Sequence, residues 1–150
     1  MDEKVRLWAK TLLTAYPYLE EAANAVETRI KSSAVNSWSS PLSAEALCGK
    51  ILHLISVKEG LINAKVITDE CLSGLPSKVY KALKCRYIFR LSFTMMSGIA
   101  DVSERSVYKH ILRAEDSFTA ALIMKGYDLK RLEELFGDNT FLKGVYNKLT

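Results

Sequence analysis

The chain has 150 residues, 49% of them hydrophobic and 25% charged, with a formal net charge of +4. That is enough for one compact domain, or for two small helical lobes sharing a core, and the composition is that of an ordinary globular protein. No apolar stretch approaches the ~20 residues needed to cross a bilayer, and the opening MDEKVRLWAKTLL lacks the apolar core and cleavage site of a secretory signal, so the expected location is the cytoplasm.

The helical pattern begins at once. From Val5, the apolar residues Trp8, Leu12 and Tyr16 recur at three- and four-residue steps until Pro17, which cannot donate a backbone N–H and should end or kink the helix. A second helix over about 18–34 presents Leu19, Ala22, Ala23, Val26 and Ile30. The serines, Asn36 and Pro41 of VNSWSSPLS place a loop near 35–42. Ser43 is then the expected N-cap of a long helix to about residue 73, with a stripe of Leu47, Ile51, Leu54, Ile55, Leu61, Ile62 and Val66. Gly60 is its weak point, at about 1 kcal/mol relative to alanine.

Gly74 and Pro76 supply a stop and a new start. The segment SKVYKALKCRYIFRL, residues 77–91, reads as one helix with Val79, Leu83, Tyr87 and Phe89 or Arg90 at helical steps. Its basic residues Lys78, Lys81, Lys84, Arg86 and Arg90 have no acid among them. A short helix (94–100), a tight turn (101–103) and a longer helix (104–125) follow. After Gly126 come the helix DLKRLEELF, ended by Gly137, and a last amphipathic turn or two with Phe141, Leu142, Val145 and Tyr146. No strand pattern and no internal repeat are visible, so the expected class is all-α.

Catalytic and metal-binding signatures are missing. Cys48, Cys71 and Cys85 are odd in number and widely spaced, and read as small buried hydrophobes; His53 and His110 are the only histidines. There is no Gly-rich phosphate loop, nucleophile elbow or HExxH, so no enzyme, metal or cofactor is expected.

Charge is distributed unevenly. Residues 1–75 carry eight Lys/Arg against nine Asp/Glu, residues 76–125 nine against four, and residues 126–150 four against four. The whole basic excess thus lies in the middle segment, which suits a polyanionic partner. Within it, VSERSVYKHILRA (102–114) separates two faces at about 100° per residue. Val107, Ile111, Ala114 and Phe118 fall on one side, the predicted buried stripe. Arg105, Lys109 and Arg113 point the opposite way, with Ser106 and Leu112 at the edges and Tyr108 and His110 at the boundary. Ser103 is placed to cap the first turn. A helix built so can enter a major groove N-terminal end first, its outward side chains reading base edges while neighbouring lysines neutralise phosphates.

These residues resemble the helix-turn-helix of sigma factor region four. Val102-Ser103 and Ser106-Val107 occupy the end of the turn and the start of the second helix, Arg113-Ala114 matches its close, and CRYIFRLSF is similar to the approach helix. The turn glycine of that group is absent. Counting back from Ser103, the first helix offers Met95, Met96, Ser97, Ala100 and Asp101; a second register takes Ile99-Ala100 as the usual Ile-Ala pair with a shorter turn. The YPYLE opening, serine-rich loop, long helix and Gly-Tyr-Asp-Leu step (126–129) are also similar to small sigma-like regulators of clostridia and their phages.

The resemblance implies an N-terminal helical lobe (1–75) packed on a sigma-region-four-like helix-turn-helix (76–126), with C-terminal helices (127–150) closing the core. It implies a sequence-specific DNA-binding protein of transcription regulation, acting on double-stranded DNA as a sigma-like factor or as a regulator touching RNA polymerase. Arg105, Ser106, Lys109 and Arg113 would read or grip DNA, while Lys81, Lys84 and Arg90 would contact phosphates. Residues 1–75 show no sigma region-two signature, so a complete promoter-melting factor is not expected. The alternative is a helical interaction module that binds polymerase or a sigma factor without touching DNA.

Overall fold

The computed structural model describes residues 2–39 and 41–150, and among these the chain is all-α, with no strand. Helix α1 (Glu3–Ala15) starts on Asp2, whose carboxylate accepts the Lys4 N–H at 2.8 Å. It ends where Pro17 forces a 3-10 turn over Tyr16–Tyr18. Helix α2 (Leu19–Val35) follows, and α3 (Ala44–Ser73) begins on Ser43, which accepts the Ala46 N–H at 3.1 Å as expected of its cap. The two lie antiparallel, pinned at their sides by Lys58–Glu27 at 2.5 Å and at one end by the Tyr16 hydroxyl donating to Asp69.

The inward face of α3 differs from the sequence expectation. Leu54 and Leu61 are buried as foreseen, but the other buried residues are Val57, Gly60, Ala64, Ile67, Thr68, Cys71 and Leu72. Ile62 and Val66 are exposed, and so is Leu52 beside Ile55. Apolar residues occupy more than one side of this helix, so periodicity alone selects no single face; the packing of α1 and α2 does. Cysteine use divides similarly, for Cys71 is buried, Cys85 half-buried and Cys48 exposed.

One core runs from Val5 to Tyr146, so the N-terminal helices, the middle segment and the C-terminal helices share it. α1 packs against α3, α6 (Glu104–Met124), α7 (Leu129–Phe136) and α8 (Thr140–Leu149). Its Trp8 is fully buried, 4.5 Å from the Tyr146 ring and 6.2 Å from Phe136, and donates Nε1–H to Glu133 at 3.2 Å. The last element is thus a ten-residue helix rather than a turn or two.

The basic segment is not one continuous helix. It is α-helical only over α4 (Ser77–Leu83), then widens to a π-helical turn at Lys84–Ile88, closed by the Phe89 N–H on the Lys84 carbonyl at 3.0 Å. Arg90 follows in the left-handed conformation at φ 54°. From there Ser92 caps α5 (Phe93–Ala100). Among the described residues no helix is long and apolar enough to cross a membrane, and no three His, Cys, Asp or Glu side chains are grouped to hold a metal ion.

Candidate nucleic-acid interface

The turn between α5 and α6 is built without glycine. Asp101 takes φ 55° and ψ 46°, a left-handed conformation that Asp and Asn tolerate better than other residues with a Cβ. Ser97 holds it: the Asp101 and Val102 N–H groups both reach the Ser97 carbonyl, and the Ser97 hydroxyl donates to the Val102 carbonyl. Ser103 then returns to extended backbone and accepts the Ser106 N–H at 3.1 Å, starting α6. The Thr94 hydroxyl donates to Glu104 at 2.5 Å and the Phe93 ring meets Tyr108 edge-on at 5.8 Å, so the two helices are tied at both chemical levels.

α6 is rotated as its sequence foretells. Val107, Ile111, Ala114 and Phe118 are all buried, and Arg105, Ser106, Lys109 and Arg113 are all exposed. Three of these four face a neighbour. Ser106, Lys109 and Arg113 line a cleft of about 560 Å3 together with Lys78 and Lys81 of α4. The rest of its lining is largely apolar and includes Cys85, Leu91, Met96, Ile99 and Val102. Arg105 stands outside this cleft, exposed in the first turn of α6.

Electrostatically the cleft is one-sided. Lys78, Lys81, Lys109 and Arg113 converge with His110, and no carboxylate lines it. Among the described residues the ion pairs are Arg6–Asp116 at 3.1 Å and the pairs Glu27 and Asp69 make with lysines, all elsewhere. None of the cleft cations is neutralised by the protein, so their charge is available to an anionic partner.

The remaining expected residues separate. Lys84 is half-buried, its ammonium 5.4 Å from the Phe89 ring centre and 6.0 Å from that of Tyr80. Arg90 does not join Lys81: its guanidinium lies 5.4 Å from the Tyr18 ring, with Nη1 donating to the Tyr18 hydroxyl. Lys78 and His110 belong to the cleft and were not among the expected site residues. For Lys78 a signal existed in the sequence, because Lys78, Lys81 and Cys85 share one helical face.

Compared with known proteins, the chain matches no family model, no curated protein and no solved structure. What the site can do therefore rests on its own chemistry. A capped helix presents arginine, lysine and serine outward, and a second helix adds lysines beside it. Such a surface can form charge-assisted bonds to phosphates and bidentate bonds to guanine.

Proposed function

We propose that the chain is a sequence-specific DNA-binding protein of transcription regulation, sigma-like or associated with RNA polymerase, acting in the cytoplasm. In this reading α6 enters the major groove N-terminal end first. Arg105, Ser106, Lys109 and Arg113 reach base edges, and Lys78 and Lys81 hold phosphates on the approach. The observation that carries the proposal is the set of cations along α6 and α4, unpaired by any acid, on a helix-turn-helix whose turn closes without its usual glycine. Selection from random duplex DNA, followed by titration at several salt concentrations, tests it. Enrichment of one motif, with affinity falling steeply as salt rises, is the expected result. No enrichment and no salt dependence would sink the reading.

One observation favours a second reading. Ile99 is 75% exposed and Val102 45%, so the cleft lining offers an apolar surface that phosphate binding does not use. A helix of polymerase or of a sigma factor could lie there, with the cations at its rim. Binding to such a partner without salt-dependent DNA affinity would favour this alternative.

A further inference from the structure

A second cleft, of about 590 Å3, opens on the other side of α6, between α1, the Tyr16–Tyr18 turn, the π-helical turn and α5. Three cations reach it, Lys10, Arg86 and Arg90, against one carboxylate, Glu115. That carboxylate accepts the Tyr87 hydroxyl at 2.5 Å, and the cations still outnumber it. The walls are aromatic, supplied by Tyr18, Tyr87, Phe93 and Tyr108.

Two of the three cations, Arg86 and Arg90, are held in place by neighbouring groups. Arg86 lies 4.3 Å from the Phe93 ring centre, and its Nη1 donates to the Leu91 carbonyl at 3.0 Å. Arg90 is aimed at Tyr18 by a backbone conformation that residues with a Cβ disfavour, at φ 54°. It lies two residues beyond a π-helical turn, an irregularity frequent at functional sites. Lys10 is exposed and makes no ion pair among the described residues.

We propose that this cleft binds a small aromatic anion, a planar ring carrying a carboxylate or a phosphate. Stacking on the tyrosine rings and charge-assisted bonds from Lys10 and Arg90 act together only on a molecule with both parts. A neutral ring leaves the cations without a counter-charge; a bare inorganic anion leaves the apolar walls of the cleft uncovered. Once bound, the ligand spans from Lys10 and Thr14 of α1 to Tyr108 and Leu112 of α6, the same helix that carries the opposite cleft. The site stands independently of the DNA reading, since its occupancy requires no nucleic acid.

Calorimetric titration of the full chain with 2-naphthoate and with 2-naphthyl phosphate tests the proposal, with acetate, inorganic phosphate and 2-naphthol as controls. At least one naphthyl anion should bind saturably at one per chain, with the tighter of the two assigning the anionic group. The controls should bind about tenfold more weakly or worse. Lys10→Ala and Arg90→Gln should each weaken binding about tenfold, whereas Lys81→Ala, in the other cleft, should leave it unchanged. Should Arg90→Gln unfold, Lys10→Ala decides alone, because among the described residues the Lys10 side chain makes no ion pair or hydrogen bond. Absence of saturable binding overturns the proposal. So does 2-naphthol binding as well as the anions, or an affinity that Lys10→Ala does not change.

Discussion

The Asn139 amide is seated against Gly60, so that a methyl group on residue 60 would lie 2.5 Å from Asn139 Nδ2. The same Nδ2 donates to the Val57 carbonyl at 3.1 Å, while Oδ1 accepts the Leu142 N–H at 3.1 Å and caps α8. One buried side chain thus links α3 to α8 through a slot that only glycine leaves open. Gly60→Ala should therefore destabilise the protein by about 1–3 kcal/mol, although alanine is the better helix former by about 1 kcal/mol. Asn139→Ala should cost a similar amount, and the double variant less than the sum, because both changes break the same bonds. Urea unfolding of the three variants checks this, and a Gly60→Ala protein more stable than the parent contradicts it.

Asp101 holds the turn in left-handed backbone, where a Cβ costs roughly 1–2 kcal/mol. Glycine would remove that strain at some entropic cost. Asp101→Gly should consequently be neutral or stabilising by up to about 1 kcal/mol, and the β-branched Asp101→Val destabilising by more than about 1 kcal/mol. Melting temperatures in that order are the expected outcome; the reverse order would show that the aspartate side chain itself holds the turn.

Val107, 5% exposed, lies in the buried stripe of α6. Val107→Asp places an unpaired carboxylate there, at several kcal/mol or more, and should unfold or badly loosen the protein. Near-parental melting would mean that α6 faces another way.

For DNA, Arg105→Ala and Lys109→Ala should each weaken binding to the selected site by roughly 1–3 kcal/mol while changing scrambled duplexes less. Lys81→Ala should weaken all sequences about equally and make the salt slope shallower by about one unit. Arg90→Gln, whose guanidinium is held on Tyr18, should leave both affinities near the parent's. All four side chains are exposed, and helicity measured by circular dichroism should stay unchanged.

Alkaline pH should destabilise the fold. Burial pushes the Cys71 thiol up to about 11 from an ordinary 9.0. Burial, with hydrogen bonds to Asp69 and Glu115, raises the Tyr16 and Tyr87 hydroxyls well above their ordinary 10.0. In each case the folded state holds its proton more tightly than the unfolded state. This stabilisation is complete below the unfolded value and is lost as pH rises through the folded one, first between about 9 and 11 for Cys71. The urea midpoint should fall across that window. In a thiol-reagent assay of the native protein, exposed Cys48 should react while Cys71 stays protected until unfolding.

The sequence by itself determined the helical class and most helix ends, because those depend on neighbours along the chain. Pro17 ends α1, Ser43 and Ser103 start α3 and α6 with their own side chains, and Gly126 takes the positive φ of 91° that follows α6. The single apolar stripe of α6 likewise fixed its rotation, so the exposure of Arg105, Lys109 and Arg113 was legible. The tertiary structure decided what depends on residues far apart. Which apolar side of α3 turned inward followed from where α1 and α2 pack. Widening of the basic helix into a π-helical turn carried Arg90 to Tyr18, 72 residues away in sequence and on the other side of α6 from Lys81. Lys78 and Lys81 met Lys109 and Arg113 only because α4 packs on α6. Periodicity and capping act over three or four residues, whereas a cleft is defined by helices whose approach no local pattern encodes.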